Sequence, residues 1–380
     1  MAKTFRVGLI GYRFMGRAHS SAWRQAPKFF PLKANVELHT ICGREAAGVQ
    51  AARAQLGWQH AVTDWQEVVE SPLIDIVDIT APPYLHAEMA IAAAKNGKHV
   101  LCEKVFAMNV KQAEQMLAAV TKAKVVHMVC HNYRRIPAIA LAKRIISEGA
   151  LGRIFHFRAR YAQDRLADPE VPVDWRLQKE FCGGGVNFDI NSHIIDLGRY
   201  LVGEFKEVQA MLHTFITERP SAEALAKGAR KMGKVNVPDS AAFLGWMENG
   251  VFANLEATRY ALGRKNHIEI EINGSNGSIY FDFEDMNRLK YYNGSDPEDR
   301  RGFRDIYVTE RNNIQPYVSN WWPPGHGLGY EHTFVHTVAD FINACADGKS
   351  VQPTFEDGLK NQRVLAAVEE SASKGKWAKV

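Results

Sequence analysis

Near the middle of the chain a carboxylate and an imidazole stand four residues apart, at Asp189 and His193. They follow the glycine run Gly183–Gly185, which disfavours a helix interior and predicts a loop that allows close approach. The apolar spacing that follows predicts a helix, on which residues four apart share one face. A carboxylate there can fix the tautomer of the imidazole, which would prepare His193 as a general base. A capped helix with both groups in solvent explains this stretch equally well.

A second pair of ionisable residues, Glu103 and Lys104, follows the short apolar run His99–Cys102. Ligands bind at the carboxyl ends of the strands in open parallel sheets, so this position predicts contact with a cofactor or substrate. A partly desolvated lysine beside a cationic nicotinamide can donate to a substrate oxygen and share its proton. A surface salt bridge between the two side chains is the alternative.

The first strand-to-helix turn has the position of a dinucleotide-binding loop, where backbone N–H groups and a helix N-terminus can face a pyrophosphate. The candidate contacts in this turn are Gly11, Arg13, Phe14, Met15 and Gly16. The usual pattern has a glycine where Arg13 stands, so the motif is degenerate, although Arg13 could itself pair with a phosphate. An ordinary turn with an exposed arginine is the alternative, and the place directly after the first strand favours the cofactor.

The second predicted strand ends at Gly43 and Arg44, where an acid that binds the ribose hydroxyls of NAD is expected. An arginine here can stack on adenine or hold a 2′-phosphate, which permits NADP. Glu45 could still reach a ribose, so the choice between NAD and NADP stays open. The turn after the third long strand adds further candidate cofactor contacts, which are Thr80, Pro82 and His86.

Strand-like and helix-like runs alternate over the first third of the chain. The strand-like runs are short and mostly apolar, and they cover 6–10, 36–42, 74–80, 99–102 and 125–129. The helix-like runs cover 17–26, 46–56, 86–96 and 110–122. This alternation predicts a parallel sheet covered on both faces, and right-handed crossovers make it a doubly wound Rossmann domain over residues 1–135.

After Arg153 the pattern changes to strands separated by hairpin signals. The predicted strands cover 154–161, 207–216, 241–247, 251–258, 267–272, 278–282 and 289–292. They predict an α+β domain over 136–380, with a mostly antiparallel open sheet, that binds the substrate. The basic stretch 218–239 predicts a mobile surface loop.

Length and composition narrow the class of protein. A chain of 380 residues exceeds one ordinary core and predicts two domains. The net charge of +5 comes from scattered basic residues, so no nucleic-acid partner is predicted. No apolar run has membrane-spanning length and no apolar signal segment opens the chain, so no membrane partner is predicted. Five cysteines without a Cys-x-x-Cys pair predict free thiols in a cytoplasmic protein.

Several of these segments together resemble a known family. They are Gly11–Gly16 with Ala18 and His19, Gly97–Val100 with Glu103 and Lys104, and Gly183–Asp196. Their residues and spacing resemble the glucose–fructose oxidoreductase/inositol dehydrogenase (Gfo/Idh/MocA) family over nearly the whole chain. The sequence departs from the family at Arg13, which replaces a loop glycine, and at Val105, which replaces the proline that usually follows the lysine.

The resemblance implies a catalytic set made of Lys104, Asp189 and His193. It also implies NAD or NADP as cofactor. The resemblance favours NAD, whereas the charge of Arg44 favours NADP, and the resemblance is given more weight. Glu103 and Lys104 would contact that cofactor. The open sheet carries the subunit interface in this family, so a homo-oligomer, dimer or tetramer, is expected.

Aromatic and basic side chains predict the wall of a carbohydrate pocket, because sugar rings lie well on aromatic rings while their hydroxyls need polar partners. Trp321 and Trp322, in the late loop 320–331, could equally plug a domain seam or a subunit contact. The predicted substrate-binding residues are Lys104, Tyr133, Trp175, Arg176, Asp189, His193 and His326.

These features together predict a nicotinamide-dependent dehydrogenase that acts on a secondary alcohol of a cyclic sugar or polyol. Phe14–Ser20 and the late loop are similar to those of levoglucosan and glycoside dehydrogenases. One alternative is a non-catalytic regulator that binds a dinucleotide or a sugar, which would not need a base. Another is a glycosidase or isomerase that oxidises its substrate transiently through a retained cofactor. No metal is predicted, because no second histidine stands near Asp189, His193 and Asp196 in the sequence.

Overall fold

The computed structural model describes residues 3–311 and 316–380. The chain packs into two compact units, and each unit is made of two separate segments. The first contains Met1–Arg135 and Gly329–Lys360, and the second contains Ile136–Leu328 and Asn361–Val380. The division predicted from the sequence, with 136–380 as one domain, therefore needs a correction, because Gly329–Lys360 packs with the first unit.

A six-stranded sheet forms the centre of the first unit. Its strands are β1 (Thr4–Ile10), β2 (Asn35–Cys42), β3 (His60–Val62), β4 (Ile76–Ile79), β5 (His99–Cys102) and β6 (His127–Val129). The helices between them are α1 (Phe14–Phe29), α2 (Ala46–Leu56), α3 (Gln66–Glu70), α4 (Pro83–Lys95) and α5 (Val110–Ala123). Neighbouring strands are parallel in the order β3-β2-β1-β4-β5-β6, which is the order of the doubly wound dinucleotide-binding fold. The predicted Rossmann fold is confirmed, and β3 is a strand that was not predicted.

The strands of this sheet are parallel because apolar residues cover both of their faces. All four residues of β4 are buried, and helix α4 packs Met89 and several alanines against the same core. Strands that are buried on both faces are typical of parallel sheets between two layers of helices. Asp78 breaks this apolar pattern, since its carboxylate is fully buried within β4 and therefore needs polar partners.

The second unit is built around a nine-stranded sheet. In chain order the remaining elements are α6 (Pro137–Ser147), β7 (Ile154–Ala162), α7 (Lys179–Cys182), α8 (Ser192–Leu201), β8 (Phe205–His213), β9 (Glu218–Pro220), α9 (Ala222–Ala226), β10 (Met232–Lys234), β11 (Ser240–Met247), β12 (Phe252–Thr258), β13 (His267–Gly274), β14 (Gly277–Asp282), β15 (Arg288–Asn293), β16 (Arg304–Tyr307), α10 (Tyr330–Asp347), α11 (Phe355–Lys374) and β17 (Ala378–Lys379). The sheet order is β16-β15-β14-β13-β7-β12-β11-β8-β17. Strands β7 and β12 are parallel and the other neighbours are antiparallel, so the mostly antiparallel sheet is confirmed.

The stretch 218–239 was predicted as a mobile surface loop. Most of it lies at the surface, with its lysines exposed, but it is not a loop throughout. It contains β9, α9 and β10, and β9 pairs with β10 in antiparallel fashion. Val235 and Val237 lie in a small apolar cluster. Arg219 is 1% exposed, and its guanidinium donates to the backbone oxygen of Asp168 at 2.7 Å. An arginine that is satisfied by backbone oxygens can be buried, which its charge alone does not reveal.

Helix α10 brings the late segment into the first unit. It packs along α1, where the ring of Phe334 lies 5.3 Å from that of His19. Phe355 and Leu359, at the start of α11, belong to the core of the parallel sheet. The helical periodicity of this segment shows that one face of each helix is apolar. It does not show against which of the two cores that face packs. Within the part of the chain that the structure describes, no helix is both long enough and apolar enough to span a membrane.

Candidate active site

The turn between β1 and α1 is closed so tightly that it requires glycine at two positions. Gly11 has φ of +111°, and a Cβ on Gly16 would lie 2.1 Å from the backbone oxygen of Gly11. The hydroxyl of Thr80 donates to the backbone oxygens of Ile10 and Gly11, at 3.0 and 3.1 Å. The carboxyl ends of β1 and β4 thus meet at this turn, and Thr80 fixes the shape of its backbone.

The N-terminus of α1 suits an anion. The helix begins at Phe14, its first turn carries no acidic residue, and the side chain of Arg13 does not cap it. Backbone N–H groups at such an end are free of intrahelical partners and attract negative charge. Arg13 is exposed and Met15 is half-buried. A dinucleotide pyrophosphate therefore fits this turn, with Arg13 as an added cation in place of the usual glycine.

Beside this turn, the end of β2 is covered by a tyrosine. A Cβ on Gly43 would lie 2.1 Å from the ring of Tyr12, so only glycine leaves room for this contact. The hydroxyl of Tyr12 donates to a carboxylate oxygen of Glu45 at 3.4 Å, and Arg44 is exposed to solvent. Arg44 and Glu45, the two residues that could determine the preference for NAD or NADP, are therefore both exposed at the end of β2.

Pro82 and His86 stand at the start of α4, where Pro82 is half-buried and His86 is fully buried. Pro82 is the residue before the helix, with an extended backbone. His86 is fully buried, and its ring nitrogens lie 2.9 Å from the oxygen of Val105 and 2.8 Å from that of Ala81. Burial lowers the pKa of His86. This geometry favours a role in joining the loops after β4 and β5 over a direct contact with a cofactor.

Lys104 is half-buried, and the side chain of Glu103, the residue before it, is buried. The backbone N–H of Lys104 donates to Oε2 of Glu103 at 3.0 Å, and Oε1 of Glu103 lies 2.9 Å from Nε2 of His19. Glu103 is only 3% exposed, so it is not the solvated surface partner considered from the sequence. The Lys104–Val105 peptide bond is cis, at the position where the family has proline.

In the second unit, the glycine run is shaped around an aromatic ring. Added Cβ atoms on Gly183 and Gly184 would lie 2.5 and 2.3 Å from the ring of Phe188, and one on Gly185 would lie 2.5 Å from the oxygen of Pro238. The predicted close-approach loop is therefore present. The helix after it opens with a wide π-type turn over Asn187–Asn191 before α8 begins.

Asp189 and His193 lie on the wide turn and on α8, respectively. The carboxylate of Asp189 is 37% exposed and forms an ion pair with Nη2 of Arg259, whose own side chain is 3% exposed. His193 is buried, with its ring 5.8 Å from that of Tyr161. Arg259 follows the end of β12, about 70 residues away in sequence, and the sequence offered no pattern that could reveal it.

Trp175 and Arg176 form a half-buried pair just before the glycine run. The guanidinium of Arg176 lies 4.2 Å from the centroid of the Trp175 ring. Asp174 stands 3.5 Å from Arg176 and 3.6 Å from Arg165. Burial, together with the nearby charge of Arg259, lowers the pKa of Arg165. The second unit thus gathers several guanidinium groups and an aromatic face near Asp189.

The remaining predicted substrate residues have different surroundings. His326 is exposed, with Nδ1 2.9 Å from the oxygen of Pro323. Trp321 is 4% exposed and therefore belongs to the packed interior of the second unit, whereas Trp322 is 49% exposed. Tyr133 belongs to the first unit, where it is buried.

The first unit therefore contains the candidate cofactor residues and Lys104, and the second contains Asp189, His193, Trp175 and Arg176. Two groups within the described residues have spacings that suit a metal, His19 with Glu103 and Cys130, and His267 with Asp282 and Glu284. Neither group contains a residue of the predicted catalytic set.

The fold and the glycine turn are those of a dinucleotide-binding protein, and comparisons with known proteins identify an oxidoreductase. The oxidoreductase family with an NAD-binding Rossmann fold, GFO/IDH/MocA, matches residues 5–131, and its C-terminal domain matches 139–280. Levoglucosan dehydrogenase of Pseudarthrobacter phenanthrenivorans is 43% identical over 387 residues, which cover 100% of this chain and 98% of the relative. A crystal structure of an oxidoreductase domain protein from Kribbella flavida is 48% identical with a TM-score of 0.95, and covers 100% of this chain and 99% of the other. A structure of levoglucosan dehydrogenase with NADH and levoglucosan is 43% identical with the same TM-score and coverage.

This chain belongs to the Gfo/Idh/MocA family of oxidoreductases.

Proposed function

We propose that this protein is an NAD-dependent dehydrogenase that oxidises a secondary alcohol of a cyclic sugar, of the levoglucosan type. The observation that carries the proposal is the Asp189 carboxylate, held by buried Arg259 near His193 at the start of α8. A regulator would not need a general base at His193. The full-length similarity to levoglucosan dehydrogenase supports the choice of substrate class.

The proposed chemistry uses three side chains around one hydroxyl. The bound nicotinamide would supply the hydride acceptor. His193 takes the hydroxyl proton as general base, and Lys104 donates to the same oxygen and stabilises its developing charge. Asp189, which accepts a charge-assisted hydrogen bond from Arg259, is an acceptor for a neighbouring hydroxyl and orients the ring.

The proposed cofactor contacts are the β1–α1 turn, the N-terminus of α1 and the end of β2. NAD is favoured because the relatives solved with NADH are similar to this chain over its full length. Arg44 would then stack on adenine. Titrating wild type and Arg44→Ala with NADH and NADPH tests this. Similar losses for the two nucleotides support stacking, and a selective loss of NADPH binding would identify Arg44 as a 2′-phosphate contact.

The proposed substrate contacts are Trp175 and Arg176, with His326 and Tyr133 completing the pocket. The guanidinium of Arg176 over the Trp175 ring leaves an aromatic edge and charged donors for ring hydroxyls. No metal takes part in this proposal. Activity that survives exhaustive chelation supports it, and loss of activity that zinc restores would contradict it.

We further propose a homo-oligomer, a dimer or tetramer, that forms through the nine-stranded sheet. Apolar side chains are exposed on its strands, with Met211 79%, Trp246 40% and Leu244 38% exposed. Exposed apolar patches on a sheet are typical of interfaces. Light scattering after gel filtration should show a dimer or tetramer that Trp246→Glu dissociates, and a monomeric wild type would contradict the proposal.

The proposed location is the cytoplasm, because all five cysteines are buried free thiols. Fractionation of cells that make the untagged protein tests it, with the protein expected beside cytoplasmic enzymes.

The decisive experiment is a spectrophotometric screen of cyclic sugars and polyols with NAD and NADP. Levoglucosan and related anhydrosugars should give NADH. Tight binding of NADH without turnover of any sugar would favour the regulator. Conversion of a sugar without net NADH, by protein that retains its nucleotide on gel filtration, would favour the glycosidase or isomerase.

A further inference from the structure

A chain of buried hydrogen bonds joins strand β4 to Lys104 within the first unit. The two carboxylate oxygens of Asp78 lie 3.0 and 2.9 Å from Nδ1 of His19. Trp23 Nε1 donates to one of these oxygens at 2.7 Å. Nε2 of His19 lies 2.9 Å from Oε1 of Glu103, whose Oε2 accepts the backbone N–H of Lys104 at 3.0 Å.

His19 at the centre of this chain carries a positive charge. An ionised carboxylate only accepts hydrogen bonds, so a ring that meets one at each nitrogen needs both N–H groups. Burial opposes the charged form, yet the pKa of His19 is raised well above its usual range, and the nearby charge of Asp78 is the largest of the effects that raise it. Burial would likewise raise the pKa of Glu103, yet the hydrogen bond from His19 and nearby charges lower it. An imidazolium is therefore held between two buried carboxylates.

The same atoms could be considered a metal site, because His19, Glu103 and Cys130 have suitable spacing. The geometry favours hydrogen bonds instead. Both nitrogens of His19 already face carboxylates, and Cys130 Sγ lies 3.6 Å from Nε2. Burial and the charge of Glu103 raise the pKa of Cys130 to about 12, so the thiol remains protonated at neutral pH. The hydrogen bonds from His19 to the two carboxylates therefore account for this cluster without a metal.

We propose that His19 and Asp78 are positioning residues that hold the reactive Lys104 in place through Glu103. This rests on the role given to Lys104 in the proposed function. A glutamate side chain has several rotatable bonds, and here both of its oxygens are fixed, one by His19 and the other by the backbone of Lys104. The direction in which the lysine leaves β5 is therefore set from β4 and α1. A displacement of a reacting group by about 1 Å can cost roughly a hundredfold in rate.

The test compares two identical substitutions, His19→Gln and His336→Gln. His336 is also fully buried in the first unit, with Nδ1 2.9 Å from the oxygen of Arg135, and it does not belong to the chain that reaches Lys104. Both variants should lose thermal stability. His19→Gln should also lose about ten- to a hundredfold in kcat, with NADH affinity retained, whereas His336→Gln should keep its kcat. Equal kcat for the two variants would overturn the proposal.

A double-mutant cycle shows whether the effect passes through Glu103. In a Glu103→Gln background, His19→Gln should have little further effect on kcat, and additive losses would overturn the proposal. Trp23→Phe keeps the aromatic ring and removes one donor to Asp78, so it provides a milder variant with a smaller loss of kcat if His19→Gln does not fold. A kcat for Trp23→Phe equal to that of wild type would then count against the proposal.

Amide hydrogen exchange at Lys104 gives a readout that needs no substrate. The N–H of Lys104, bonded to Glu103, should exchange faster in His19→Gln or Trp23→Phe than in His336→Gln. Unchanged exchange would overturn the positioning role even if wild type proves active on sugars. A wild type that turns over no sugar, with faster exchange in His19→Gln, would leave the positioning role supported and overturn the proposed function.

Discussion

The two units hold their reactive groups in different ways. In the first, Lys104 is fixed at its backbone, through a chain of buried charges that alternate in sign from Asp78 to His19 to Glu103. In the second, the carboxylate of Asp189 forms an ion pair with the buried guanidinium of Arg259. Loss of any member of the chain Asp78–His19–Glu103 should disturb Lys104. The position of the Asp189 carboxylate depends instead on its contact with the planar guanidinium of Arg259. In both units the supporting residues come from elements distant in sequence.

The largest expected effect is on His193, the proposed general base in the second unit. His193→Ala should lower kcat by about two to four powers of ten, the usual contribution of a positioned general base. NADH affinity should stay near that of wild type, because the candidate cofactor residues lie in the first unit. Steady-state kinetics on levoglucosan and a fluorescence titration with NADH measure the two quantities. Near-full activity would remove His193 from the role and make Lys104 the better candidate for the base.

The second prediction tests the ion pair between Asp189 and Arg259 in the second unit. Arg259→Met removes the guanidinium that fixes the Asp189 carboxylate. It should reduce kcat/KM by about ten- to a hundredfold, because a displaced orienting group can cost up to roughly a hundredfold in rate. Arg259→Lys keeps the charge without the planar fork, so it should recover part of that loss.

The matched control for this pair is Arg199→Lys. Arg199 is a buried arginine of α8, 2.7 Å from Glu204. This variant should lower the melting temperature without changing kcat/KM. If Arg259→Lys and Arg199→Lys have the same effect on kcat/KM, Arg259 only stabilises the fold, and the contrast between the two units disappears.

Much of the fold could be predicted from the sequence, because local apolar patterns report strands and helices directly. The parallel sheet and the mostly antiparallel sheet are both confirmed. The packing of Gly329–Lys360 on the first unit could not be predicted, since an apolar helix face fits either core. The short strand β3 was missed because three residues carry too little pattern.

The residues that support the proposed reactive groups were harder to recognise in the sequence than the proposed groups themselves. Lys104, Asp189 and His193 are polar residues in informative positions. Asp78 could have been recognised locally, because it is a carboxylate inside an otherwise apolar strand. Such a buried residue needs a polar partner. Arg259 had none, because only the register of β12 brings it to Asp189. Ion pairs between distant strands depend on tertiary geometry, which one sequence does not show.

A smaller effect is expected on the proposed pocket wall. Trp175→Ala and His326→Ala should each raise KM for the sugar roughly five- to thirtyfold, or about 1–2 kcal/mol, with little change in kcat. Ring stacking and a hydrogen bond to a distant hydroxyl are present in the ground and transition states alike. Trp377→Ala, which removes a half-exposed tryptophan near the end of the chain, is the control and should be silent. If both pocket variants are silent while NADH still binds, the carbohydrate wall lies elsewhere.

The smallest effect concerns stability rather than activity, and it belongs to the first unit. There His19 is held charged, whereas burial lowers the pKa of His127 to about 4. Nδ1 of His127 accepts the backbone N–H of Phe355 at 3.1 Å, which requires the neutral ring. The unfolded chain takes up this proton near pH 6.5 and the folded protein only near pH 4, so the free energy of unfolding should fall as pH drops between these values. The contribution of His127 is at most about 3 kcal/mol. Urea unfolding of His127→Gln should therefore show a shallower loss between pH 6.5 and pH 4.5 than wild type, with equal slopes for both above pH 7.5. Parallel curves over the whole range would show that the buried imidazole does not contribute to the acid sensitivity of this unit.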